Sequence, residues 1–156
     1  MIGAPGEGWR VAMTIVSHER EPGELGYVAR YAKMVAELEH AVRADPDAFR
    51  PDQREAVAWA HVQAEMLRLH VCRRLSERLD HIDHGPGGSI DKLLMTWVEQ
   101  AVGAAALAVS GPSAATDADD VGLKVYLYSR AQSVMGGTSQ IQKNIIATRI
   151  LGLPTS

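Results

Sequence analysis

One stretch constrains this chain more than any other. Between Pro51 and Ile82 the residues Ala56, Ala60, Ala64, Leu67, Val71, Leu75, Leu79 and Ile82 recur every three or four positions. That is the spacing of one face of an α-helix, sustained here over about eight turns. A helix that long must bury its stripe against other helices or a sheet. Strand patterns are scarce, and only 5% of the residues are aromatic against 46% hydrophobic, so small aliphatic side chains must fill the interior. Helix packed on helix is the architecture that suits them.

The rest of the pattern agrees. Trp9, Ala12, Met13 and Val16 recur at helical spacing until Pro22 and Gly23 bend or break the run. It resumes through Leu25, Val28, Tyr31, Val35 and Leu38. Pro51 suits the first position of the long second helix, and Gly85 and Pro86 in "HGPGG" suit its end. A third helix is expected from about Ile90 to Val109 and a fourth from about Val121 to Val134. A fifth begins at Ser139, where Ser139 and Gln142 have capping-box spacing, and Gly152 and Pro154 close it. The expectation is all-α: an antiparallel bundle of about five helices, forming one domain over residues 1–156.

Composition narrows the function classes. A formal charge of −3 with scattered Lys and Arg gives no reason to expect nucleic acid. No leader is visible at the start, and the longest apolar stretch, "AVGAAALAV", reads as too short to span a bilayer. A single Cys72 excludes an intrachain disulfide and fits a reducing cytoplasm. Within the helical pattern it reads as a small core residue.

Three places could carry chemistry. In "MGGTSQIQ", Gly136 and Gly137 remove side chains just before a helix start, where a phosphate or oxyanion could come close. The plainer reading is a tight turn that needs positive φ, with Thr138 and Ser139 as caps. In "SHERE", Glu19 falls on the stripe begun by Ala12 and Val16. Either it is a carboxylate kept for catalysis, or residues 18–21 are a solvated helix end. In "DHIDHG", His81 and His84 are three apart, but a metal site needs further ligands. Capping of a helix C-terminus explains them more simply, so no metal is expected. His40, His61 and His70 show no partner pattern.

Two segments resemble the acyl-CoA dehydrogenase family: "GEGWRVAMTIVSHER" (6–20) and "YLYSRAQSVMGGTSQIQKNIIATRILGLP" (126–154). They are similar to the two ends of its C-terminal helical domain, in order and at about the right separation. Between them only helix pattern and length agree. The resemblance implies FAD, an acyl-CoA thioester as substrate, and α,β-desaturation: a carboxylate takes the α-proton while hydride leaves the β-carbon. The family's usual base stands just before the Gly-Thr of the last motif, where this chain has Gly136. A minority carries its base at the place matched by Glu19, which makes Glu19 the implied base and Arg20 its neighbour holding the carboxylate. Ser17 and His18 match positions lining the acyl pocket. The Gly136 N–H would polarise the thioester carbonyl, and Gly137 would let the substrate approach. Thr138, Ser139 and Gln140 match flavin contacts.

There are departures as well. The family's Arg-x-x-Phe-Gly segment, which grips the FAD pyrophosphate across a subunit interface, has no counterpart in "RADPDAFRPDQRE". Its Gln-x-x-Gly-Gly is reduced to Gly111 in "AVSGPS". The family's N-terminal helical and middle β-domains are not in this sequence. The resemblance therefore implies part of a flavin and acyl-CoA site, completed in a homo-oligomer or a hetero-oligomer with another dehydrogenase subunit. The alternatives are a non-catalytic assembly subunit and a bundle that has kept the fold and lost the ligand.

Overall fold

Pro51 does start the longest helix of this computed structural model, which describes residues 3–19, 23–82 and 85–154. Six α-helices stand among the described residues: α1 (Gly8–Glu19), α2 (Gly23–Ala44), α3 (Pro51–Leu79), α4 (Gly88–Ser110), α5 (Val121–Ala131) and α6 (Ser139–Ile145). The count exceeds the expected five because the first run is described as two helices, α1 and α2; the break expected at Pro22 lies outside the described residues. Short turns join successive helices of the bundle, and α2 packs on α3, α3 on α4 and α4 on α5.

Three helices make the core. Tyr31 and Val35 of α2, Val57, Ala60, Leu67 and Val71 of α3, and Val98, Val102 and Ala105 of α4 bury one another. Helix α4 is the centre, since α2, α3, α5 and α6 all pack against it. With the turn that follows, Gly88–Ala115 is long and apolar enough to cross a membrane by length and composition. This corrects the reading of its apolar stretch as too short. The apolarity has a local cause: other helices cover α4 on several sides.

Charges on α4 are paired inside the bundle. Glu99, 1% exposed, accepts a 2.5 Å hydrogen bond from the Tyr31 hydroxyl, with Arg30 at 3.5 Å. Asp91 lies 2.5 Å from His70 Nε2 and 3.4 Å from Arg74 Nε, both on α3. His61 Nδ1 lies 2.7 Å from Glu39 on α2. These pairings join residues distant in sequence, so spacing could not reveal them.

Close approach of α5 to α4 depends on two glycines. A Cβ on Gly122 would collide with Ser110 Oγ and lie 2.6 Å from the Ala106 carbonyl oxygen. One on Gly103 would lie 2.9 Å from Ser129 Oγ and 3.1 Å from the Tyr126 Cα. Asp120 starts α5 by accepting a 2.7 Å bond from the Leu123 N–H.

The long stripe on α3 holds only in part. Ala60, Leu67 and Val71 are buried, whereas Leu75, Leu79 and Ile82 are exposed, and the next core-facing position holds Arg74. The helix ends at Leu79, before the expected glycines. His81 takes a left-handed backbone (φ 58), and the Ile82 N–H reaches back 2.9 Å to the Glu77 carbonyl. His81 thus stands beyond the helix, not on its face, and His84 lies outside the described residues. Cys72 is exposed, because its neighbour Val71 takes the core position. A second apolar face of α3, formed by Trp59, Val62, Met66 and Leu69, is also exposed. So are Trp9, Ala12 and Met13 of α1, which find no cover among the described residues.

Two outcomes are expected. Gly122→Ala should destabilise the chain by about 1–3 kcal/mol, since backbone rather than a flexible side chain must move; an unchanged thermal midpoint would contradict the close α4–α5 approach. Burial first, and then the hydrogen bond to Glu99, raises the Tyr31 phenol above its ordinary 10.0. A raised pKa gives stability that is complete below the unfolded value and declines as pH rises past it. Urea unfolding above about pH 10 should therefore show a steeper loss for the wild type than for Tyr31→Phe. At neutral pH that variant should be less stable by about 1–3 kcal/mol, having left a buried carboxylate oxygen without its donor.

Candidate functional site

The chain leaves α5 at Ala131 and enters α6 at Ser139, and the turn between them carries the doubled glycine. The Val134 and Met135 N–H groups both return to the Ala131 carbonyl at 2.9 Å, which closes the first half of the turn. Gly136 (φ 63) and Gly137 (φ 98) then run through left-handed backbone, and the Ser139 N–H closes the loop on the Ser133 carbonyl at 3.0 Å. Any other L-residue would be strained at either glycine. At Gly136 a Cβ would meet only Lys92 Cε, at an ordinary 3.5 Å. Conformation, not crowding by the protein, is what demands glycine there.

The cap of α6 differs from expectation. Thr138, not Ser139, is the N-cap, and its Oγ1 accepts the Ile141 N–H at 3.3 Å. Gln142 makes no capping box with Ser139. Its side chain is buried and turns back beneath the loop, where Nε2 donates to the carbonyls of Gly136 (3.1 Å) and Gly137 (3.4 Å). Gly152 (φ 65) ends the segment as expected, after a π-helical turn over Ile146–Ile150.

A second anchor comes from α4. Lys92 Nζ donates to the Gln132 carbonyl at 2.5 Å and lies 3.2 Å from Thr96 Oγ1, whose single hydroxyl hydrogen is shared between the Lys92 carbonyl at 2.9 Å and the Gln132 carbonyl at 3.2 Å. Gln132 is the C-cap of α5, so a cation from α4 neutralises that helix's carbonyl end. The loop is thereby tied to the central helix at its start and to Gln142 at its glycines. Its outer rim is apolar, with Val134, Met135 and Ile141 exposed beside Gly136.

The predicted site residues are distributed unevenly. Gly136, Gly137, Thr138, Ser139 and Gln140 form one continuous loop and helix start, with the Gln140 carboxamide exposed and Ser139 half-buried. Ser17, His18 and Glu19 form the last turn of α1, but their side chains lie outside the described set, and Arg20 lies outside the described residues altogether. Trp9, Ala12 and Met13 of the same helix are exposed, while the burial of Glu19 itself lies outside the described set. Sequence reasoning missed Lys92, Thr96, Gln132 and the true role of Gln142. The available signals were slight: a lysine beside Asp91 near the start of a mostly apolar helix, and a glutamine four residues past a threonine cap. Among the described residues no group of three or more His, Cys, Asp or Glu could hold a metal ion.

Comparison with known proteins follows this geometry. A family profile described as acyl-CoA dehydrogenase, C-terminal domain, matches residues 6–151. The chain is 32% identical over 157 residues to acyl-CoA dehydrogenase IpdE1 of Mycobacterium tuberculosis, covering 99% of this chain and 40% of that protein. To IpdE1 of Mycolicibacterium smegmatis it is 31% identical, covering 99% and 39%. Among solved structures it is similar to a variant of the steroid ACAD Tcur3481-Tcur3483, with a TM-score of 0.75 and 20% identity, over 99% of this chain and 42% of that one. At that identity the likeness concerns the fold. The chain spans about two fifths of the length of the curated relatives it matches. Since the profile runs through both ends of the bundle and the glycine loop between α5 and α6, the chain belongs to the acyl-CoA dehydrogenase family and corresponds to its C-terminal helical domain.

Proposed function

We propose that this chain supplies the C-terminal part of an FAD-dependent acyl-CoA dehydrogenase, giving one wall of the acyl-CoA and flavin sites. The observation that carries the reading is the Gly136–Gly137 loop. It is left-handed at both residues, anchored by Gln142 and rimmed by apolar side chains. Such a loop can bring backbone N–H groups against a thioester carbonyl without a side chain in the way. In this reading the Gly136 N–H polarises that carbonyl, and Gly137 gives room for the substrate.

The residues present fit a flavin as one side of its site. Thr138 keeps its hydroxyl hydrogen while its oxygen caps α6, and Ser139 and Gln140 add donors beside it. FAD, when bound, supplies the hydride acceptor. Glu19 removes the α-proton, with Arg20 and His18 nearby in sequence, and Ser17 lines the acyl side. With no carboxylate at Gly136, the base must come from elsewhere, which is what favours Glu19.

The remaining walls come from other domains or another subunit. The exposed apolar face of α3, with Trp59, Val62, Met66 and Leu69, supports an oligomer that covers it. The uncovered stripe of α1 supports completion by a further domain in the same way. The same faces would serve a non-catalytic assembly subunit, for which the lost Arg-x-x-Phe-Gly segment speaks. The cytoplasm is the proposed location.

Glu19→Gln in the complete enzyme distinguishes these readings. Flavin content should be unchanged, while exchange of the substrate α-proton with solvent falls by about a hundred- to ten-thousandfold, the usual contribution of a general base. Unaltered turnover in that variant would remove Glu19 from the mechanism and leave the assembly role.

A further inference from the structure

Helix α3 has two apolar faces, and the bundle uses one of them. Ala60, Leu67 and Val71 meet α2 and α4, whereas Trp59, Val62, Met66 and Leu69 stand nearly opposite, each from 45% to 59% exposed. At about 100° per residue these four share an arc of roughly 80°. The same arc takes in Glu55, one turn before them, and Arg73, one turn after. Both charged residues are exposed, and Arg73 Nε lies a loose 3.8 Å from Glu77 Oε1 along the helix surface. An apolar centre with charge at its rim is the usual anatomy of a protein interface, and tryptophan is the residue type most often found at its energetic centre.

The strip runs Glu, Trp, Val, Met, Leu, Arg, in alternating steps of four and three residues. From either end the spacing is the same, which is what a surface needs to pair with a copy of itself. Its two ends carry opposite charges, and that fixes the direction. Parallel pairing would set Glu55 against Glu55 and Arg73 against Arg73. Antiparallel pairing about a two-fold axis at Ala64 sets Glu55 against Arg73 at both ends, with Trp59 against Leu69 and Val62 against Met66. Sliding the second helix by about two turns spoils the match either way. Glu55 then falls on Met66, or Arg73 on Val62, and a charge loses water without gaining a partner. One direction and one register satisfy the whole strip.

We propose that the outer face of α3 docks on the same face of a second copy of this chain, antiparallel about a two-fold axis at Ala64, with Glu55 of each copy against Arg73 of the other. The pairing needs neither flavin nor substrate, so it stands apart from the catalytic reading.

The test uses the complete protein, with self-association followed by sedimentation and the fold by circular dichroism. Trp59→Glu should weaken self-association by about thirtyfold or more, the loss typical of a central aromatic anchor. Glu55→Arg alone, or Arg73→Glu alone, puts two like-charged contacts into every pair. Each should weaken association by about ten- to a hundredfold at low salt. Both positions are exposed, where a change of charge leaves folding nearly untouched. Combining Glu55→Arg with Arg73→Glu exchanges the charges and should restore association to within about threefold of wild type. That rescue requires the partner to be the same chain in the antiparallel direction. A protein that stays single in solution, or that associates equally well with Trp59→Glu, overturns the proposal. A double variant as weak as the single ones also overturns it, and gives the face to an unlike subunit. Because mass and not turnover is measured, failure of the dehydrogenase reading would leave this result unchanged.

Discussion

Everything in this bundle is placed relative to α4. Its apolar length is covered by α2 and α3 on the core side and by α5 and α6 elsewhere. The glycines at 103 and 122 set how near α5 can come, because each lies where a Cβ would strike the facing helix. Close backbone approach leaves little slack, so the end of α5 has a defined height and angle above α4. The turn that follows inherits that position.

The turn is then held by polar groups rather than by apolar packing. Lys92 and Thr96 on α4 converge on the Gln132 carbonyl, and Gln142 on α6 donates to the carbonyls of Gly136 and Gly137. Such bonds are directional, so they orient peptide planes where apolar contact would only fill space. The arrangement separates the two jobs of the segment. Positive φ at Gly136 and Gly137 lets the chain turn, and the buried amide decides which way its dipoles face.

The outer faces read differently. Buried charges are matched within the bundle, Glu99 with Tyr31 and Arg30, Asp91 with His70 and Arg74. The apolar faces of α1 and α3 are left uncovered. Among the described residues, the buried charges of α4 are paired while these apolar faces stay open. Exposed apolar faces of this size are where further protein surface can pack.

Much of the architecture was legible in advance. Helical periodicity placed α2, α3 and α4 to within a few residues, and Pro51 and Gly152 marked the boundaries they were expected to mark, because φ restriction and left-handed tolerance are local properties. The Gly-Gly turn was legible for the same reason. Less was legible where a residue's role depends on what lies across from it. Cys72 belongs to a helix but misses its core face by one position. Leu75 and Leu79 continue the stripe but outrun the helices that cover it. Ser139 had the right spacing for a cap, yet Thr138 makes it. The sequence alone determined helix content, helix order, the glycine turn and, through two motifs, the family. Only the tertiary structure decided that Gln142 and Lys92 converge on one loop, since their partners come from other helices and turns and are chosen by packing distance, not by spacing along the chain.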